Sequence, residues 1–201
     1  MVSLFTDLLS YVESGGYVMW PLIVATFILW YGLGYRYHAM NRGNKRSVRV
    51  LLQRLKHEKQ YRPQGVVDSA VVDGLSLSDR TPRQNLRRAL DGAFFVYEEE
   101  ISKYSVLVKT IVIVAPLAGL LGTVMGMIET FDSLGSMQLF SQSGGIAGGI
   151  SQALFTTQMG LVVAVPGLVV GRLLDKKQYN IEMELAQIKD ILCSEEKGTQ
   201  S

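Results

Sequence analysis

An all-α membrane protein, with three transmembrane helices and long helices extending into the cytoplasm, is the fold class this sequence predicts. Three observations carry that expectation. From Thr110 to Gly171 there is no Lys or Arg, and the only acids are Glu129 and Asp132. A second uncharged run spans Tyr17 to Tyr35, long enough to cross a bilayer core that needs about 20 mostly apolar residues. All twenty Lys and Arg fall in residues 36–109 or 172–197. The net charge of +2 therefore averages an apolar block and a basic block, and gives no sign of nucleic-acid binding.

The elements follow in order. Residues 1–16 contain Asp7 and Glu13 but no Lys or Arg, so the positive region of a cleavable signal peptide is missing. Leu4, Phe5, Leu8, Leu9 and Val12 recur at helical spacing, which predicts an amphipathic helix lying on the outer leaflet of the membrane. Residues 17–35 form the first span, with Tyr and Trp near its ends as interfacial anchors. Residues 36–105 form a helical loop. Within it, 43–60 reads as a basic helix, and 61–80, with Pro63, Gly65 and Gly74, as short elements only.

Thr81-Pro82 is a helix start, Thr as N-cap and Pro at the first helical position. No strong breaker follows, so one helix is expected from Pro82 to about Asp132, roughly 75 Å long at 1.5 Å per residue. Its apolar part, 106–130, is the second span. A short loop, 131–145, leads to the third span at 146–171. In the last segment, 172–201, Ile181, Leu185, Ile188 and Leu192 recur at spacings of four, three and four, marking an amphipathic helix. Because the flanks of the spans must put Lys and Arg on the cytoplasmic side, one topology fits. The N-terminus is outside, the large loop inside, the short loop outside and the C-terminus inside.

Two stripes of small residues run along the second and third spans. Pro116, Gly119, Thr123 and Gly126 share a face of one. Ala153, Thr157, Gly160, Ala164, Gly167 and Gly171 share a face of the other. Small residues at such spacing let helix backbones approach closely in lipid. Each stripe carries a threonine, which is either a packing residue bonded to a carbonyl of its own helix or a hydroxyl offered to a ligand. Gln152 and Thr156 form a second polar line beside Thr157, and an amide in the membrane needs protein or water around it. Neither stripe contains a carboxylate, a histidine or a lysine. If ions pass along these helices, a partner chain must bring the charged group.

Nothing points to catalysis. His38 and His57 belong to no nucleophile or metal-ligand constellation, and Glu98, Glu99 and Glu100 read as a solvated helix face. The single cysteine, Cys193, rules out an internal disulfide framework and has no basic flank to activate it. No cofactor and no metal are expected.

Three strings resemble a known family. Ala115-Pro116-Leu117-Ala118-Gly119-Leu120-Leu121-Gly122-Thr123-Val124-Met125-Gly126 is similar to the second span of the ExbB, TolQ and MotA proton channels. Gly15-Gly16-Tyr17-Val18-Met19-Trp20-Pro21-Leu22 resembles the family's entry to span one. Gly148-Gly149-Ile150-Ser151-Gln152-Ala153-Leu154-Phe155-Thr156-Thr157-Gln158-Met159-Gly160-Leu161 resembles its third span. Three spans and a short outer loop fit ExbB and TolQ better than the four-span MotA.

The resemblance implies a homo-pentamer in the bacterial inner membrane, surrounded by lipid and enclosing two single-span helices of an ExbD-like partner. That partner supplies the intramembrane Asp that the stripes lack, and Thr123 and Thr157 match the family's pore-facing threonines beside it. Ion flow would drive motion that a TonB-like protein delivers to the outer membrane. The transported ion is H⁺ by resemblance. The adjacent pair Thr156-Thr157 is similar to sodium-driven stators, and hydroxyls, carbonyls and the Gln152 amide are oxygen ligands of the kind Na⁺ favours. The chain departs from ExbB in carrying Gln152 where that family has a glutamate, so a proton-relay role cannot be transferred to it. Two further roles stand beside the motor: a TolQ-like subunit that maintains the envelope, and a scaffold that conducts no ions.

Overall fold

The computed structural model describes residues 12, 15–41, 43, 48–57, 63, 65–135 and 142–198. Most of the interfacial helix expected over 1–16, and residues 136–141 of the loop expected over 131–145, lie outside the described residues. Among the described residues every element is helical: α1 (Met19–Ala39), α2 (Val48–His57), α3 (Val66–Arg80), α4 (Arg83–Ser102), α5 (Ser105–Gly135) and α6 (Gln142–Gly198). Two helical stretches are long and apolar enough to cross a membrane, one within Gln84–Gly135 and one within Ile146–Ser194. α1 has the length, but every 18-residue window in it contains Arg36 as well as Trp30, Tyr31 and Tyr35, and it does not meet that test.

The chain divides into two compact units. The first comprises Met1–Leu33 and Val106–Gly171, the second Gly34–Ser105 and Arg172–Ser201.

In the first unit, Leu22, Leu29, Val108, Ala115, Ala153, Val163 and Ala164 are buried. Large apolar side chains such as Leu117, Leu120, Val124, Leu161, Val165 and Leu168 are exposed. That distribution suits a bundle bathed in lipid, where small residues meet between helices and large ones face outward.

The second unit is built as a soluble helical bundle would be. Leu86, Leu90, Phe94 and Ile101 of α4 and Ile181, Leu185, Ile188 and Leu192 of α6 are all buried, as their periodicity requires. Val48, Leu51 and Leu52 of α2 and Val67, Ala70 and Val71 of α3 complete the core. Each of these Val, Leu, Ile and Phe side chains contributes about 1.5–3 kcal/mol by leaving water. Lys189 of α6 reaches Asp91 at 3.1 Å and Glu98 at 3.5 Å, two acids seven apart on the same face of α4. Tyr97 donates a hydrogen bond to Asp73, tying α4 to α3. Burial first, then the Asp73 carboxylate, hold the Tyr97 hydroxyl well above its ordinary pKa, so it remains a donor.

Three expectations about this unit need correction. Residues 61–80 hold a 15-residue helix, α3, instead of short elements. Gly74, read as a breaker, is a packing residue. A methyl placed on it would come 2.8 Å from Leu192 and 3.3 Å from Phe94, so any larger residue here would push the Leu192 side chain aside. Thr81 is the C-cap of α3 in extended conformation, and Pro82 takes the N-cap position of α4 without a side-chain cap bond. The single helix expected from Pro82 to Asp132 is broken at Lys103–Tyr104. Tyr104 has φ of 62°, the left-handed region, and its ring stands edge-on to Tyr35 at 5.1 Å. A side chain in that region costs roughly 1–2 kcal/mol, and no Gly or Pro in the sequence signals it.

Candidate functional site

The candidate site lies in the first unit, where α5 and α6 meet. Neither helix has a broad polar face here, so backbone proximity decides how they pack. A methyl on Gly119 would come 3.0 Å from the Thr156 carbonyl oxygen. On Gly126 it would come 2.5 Å from the Gly149 carbonyl oxygen, and on Gly160 it would come 2.7 Å from that of Ala115. A methyl on Gly122 would collide with the Thr156 side chain, and one on Gly149 with Thr130. The pairing runs 115 with 160, 119 with 156 and 160, 122 with 156, and 126 with 149 and 153, so the helices are antiparallel. Cα hydrogens set against carbonyl oxygens add weak attraction along such a contact.

The true seam on α5 is therefore Ala115, Gly119, Gly122, Gly126 and Thr130, one position round from the expected stripe. Gly119 and Gly126 belong to both. Pro116 and Thr123 sit beside the seam, half-buried. On α6 the seam runs through Gly149, Ala153, Thr156 and Gly160. Ala164 is buried as well, and a methyl on Gly167 would meet Leu29 of α1 at 2.8 Å and Val112 of α5 at 2.9 Å. Sequence reasoning missed Gly122, Gly149 and Thr130, although 119, 122, 126 and 130 recur at helical spacing.

The four polar candidates separate. Thr156 is 0% exposed, sealed against Gly122, and its hydroxyl donates to the carbonyls of Gln152 at 3.0 Å and Ala153 at 3.1 Å. Thr157 is half-buried and donates to the Ala153 carbonyl at 2.9 Å. Thr123 is half-buried and donates to the Leu120 carbonyl at 2.6 Å. Gln152 lies against Gly16, which has φ of +64° at the turn leading into α1.

Helical geometry then says which of these come together. Thr123 follows Gly122 and Thr157 follows Thr156, each one step of about 100° beyond the facing pair. On antiparallel helices the same step in sequence turns both side chains to the same edge of the pair, at depths within about one helical turn of each other. Gln152 is about 140° round α6 from Thr157, on the side where α1 begins. Helical geometry thus assigns Thr123 and Thr157 to one edge of the pair, with Thr156 in the seam and Gln152 on another side of α6. Both edge hydroxyls spend their proton on their own helix and keep oxygen lone pairs as acceptors. The acids that end this stretch of α5, Glu129 and Asp132, are exposed and lie two or three turns from Thr123. Among the described residues no group of His, Cys, Asp and Glu could hold a metal ion.

Among known proteins, the chain is similar to several ExbB-like proteins. ExbB-like 3 of Synechocystis sp. is 41% identical over 100 residues, 49% of this chain and 47% of that protein. ExbB-like 2 of Helicobacter pylori is 40% identical over 103 residues, 51% of this chain and 61% of the relative. The biopolymer transport protein exbB1 of Vibrio cholerae is 25% identical over 177 residues, 79% of this chain and 75% of its own length. The chain spans about half or less of the length of the first Synechocystis and Methanothermobacter relatives it matches. Residues 50–187 match the profile of the MotA/TolQ/ExbB proton channel family, and with that match covering well over half its length the chain belongs to this family.

Proposed function

We propose that this protein is the channel-forming motor subunit of an ExbB–ExbD-type complex, using the proton motive force to energise transport across the outer membrane through a TonB-like protein. α1 is the third membrane span, the N-terminus is periplasmic and the C-terminus cytoplasmic in the inner membrane. Five copies enclose the single-span partner helices. The observation that carries this reading is the pair Thr123 and Thr157, two hydroxyl acceptors on one edge of a helix pair whose seam has no carboxylate. A partner Asp brought to that edge would find hydrogen-bond acceptors when protonated and would be the titrating group of the path.

Placement also favours H⁺ over Na⁺. A dehydrated cation needs several oxygens converging on it, whereas the Thr156 hydroxyl is sealed against Gly122 and Gln152 lies on another side of α6.

The test is the complex reconstituted with its single-span partner, driven either by a pH gradient or by a sodium gradient alone. Thr157→Ser should retain most of the proton-driven flux. Thr157→Val, nearly the same size but without an acceptor, should lower it by at least tenfold while the complex still assembles. Thr156→Ala should change flux less than twofold. Equal flux in the Ser and Val variants would defeat the pore assignment, and full activity on sodium that Thr156→Ala abolishes would reverse the choice of ion.

A further inference from the structure

Three short segments of the second unit, 34–39, 102–105 and 172–178, adjoin the apolar runs in sequence. Together they contain Arg36, Lys103, Arg172, Lys176 and Lys177 against one acid, Asp175. The structure removes that acid from the count. Arg36, 1% exposed, donates to the Asp175 carboxylate at 2.9 Å and to the Gln178 side-chain oxygen at 2.8 Å, so the nearest carboxylate is already neutralised. Gln178 in turn donates to Glu182 at 2.8 Å. The next acids along α4 begin a turn before Lys103, and of these Glu98 is held by Lys189.

Lys103 and Lys177 are left without a carboxylate among the described residues, and both rest on tyrosine faces. The Lys103 ammonium is 5.6 Å from the Tyr35 ring centre and 5.7 Å from that of Tyr104. Lys177 is 5.1 Å from the Tyr37 ring centre. A ring quadrupole restrains an ammonium in position but does not satisfy its hydrogen-bond donors. Lys103 is exposed and Lys177 half-exposed. Cations held in place, uncompensated, and adjoined to membrane spans by interfacial aromatics have the composition that binds anionic headgroups.

We propose that Lys103, seated on Tyr35 and Tyr104, and Lys177, seated on Tyr37, each bind the phosphate of an anionic phospholipid in the cytoplasmic leaflet. The occupant is the lipid of the bilayer itself; a soluble phosphate ester offers the same charge without the acyl anchor.

The experiment is titration of the purified full chain in mild detergent, with bound lipid counted by native mass spectrometry. Phosphatidylglycerol, phosphatidylcholine and glycerol phosphate are the probes. Phosphatidylglycerol should bind at least fivefold more tightly than phosphatidylcholine, and glycerol phosphate should not be retained. The double variant K103Q/K177Q should weaken phosphatidylglycerol binding by more than tenfold, since each surface Lys contributes about a factor of five toward an anionic membrane. K103R/K177R, which keeps the charge and the ring contacts, should restore it. R87Q, which removes an exposed cation elsewhere in the unit, should leave it unchanged. Equal binding of the two lipids, unaltered binding in K103Q/K177Q, or retention of glycerol phosphate as tight as that of the lipid would each overturn the proposal.

Discussion

Arg36 takes a permanent charge into a site where water barely reaches it. Its Nη2 serves Asp175 and Gln178, while Nε and Nη1 find no acceptor among the described protein atoms. An ion pair built this way stabilises little in net terms, but breaking it from one side leaves the other charge stranded. Asp175→Asn should therefore destabilise the protein more than Arg36→Met. The loss should be about 3 kcal/mol for the first and under about 1 kcal/mol for the second, because Met removes the buried charge and keeps the stem packing. Unfolding of the purified variants by denaturant, followed by circular dichroism, measures the order. Reversal of that order would mean that the pair is a net source of stability. None of this was legible beforehand. Arg36 and Asp175 are 139 positions apart, and the sequence marks Arg36 only as one of twenty Lys and Arg. Thr123 and Thr157 were legible as candidates because hydroxyls are rare in an apolar run. Their shared edge was not, because it depends on which glycines face each other.

Among the elements, the break between α4 and α5 has the most direct test. At φ of 62° a Cβ is a burden that glycine does not carry. Tyr104→Gly and Tyr104→Ala both lose the ring contact with Tyr35, so the difference between them isolates the backbone. Gly should be the more stable by about 1 kcal/mol, opposite to the order inside a continuous helix, where Ala leads by a similar amount. Thermal unfolding of the two variants side by side decides it, and a more stable Ala variant would mean that the helix runs unbroken. Helices with strong periodicity, such as the C-terminal part of α6, could be read from sequence because burial repeats with the helical turn. α3 could not, because its glycine counts against a helix locally and favours it only through Leu192 and Phe94, which pack against it from other helices. The seam of α5 was misplaced by one residue, since two lines of small side chains share Gly119 and Gly126 and local pattern does not choose between them.

For the whole chain, the partition of charge predicts which side of the membrane each segment occupies. In a variant with Cys193→Ser, Ser136→Cys and Ser143→Cys should react with a thiol reagent that cannot cross the membrane. Ser69→Cys and Ser102→Cys should react only after permeabilisation. Labelling of Ser69→Cys in intact cells would overturn the orientation. Membership of the family was legible in three strings of residues because glycine, proline and threonine at fixed spacing encode backbone contact, and backbone contact leaves little freedom to vary. The same feature has a mechanical consequence. Where Gly119, Gly122, Gly126, Gly149 and Gly160 bring α5 and α6 together, there are almost no rotatable side chains between them to absorb displacement. A joint made of backbone against backbone cannot creep by repacking, and warming does not loosen it by releasing rotamers. The two helices must therefore tilt and turn as one stave, so that a force applied to either is carried by both instead of being dissipated between them.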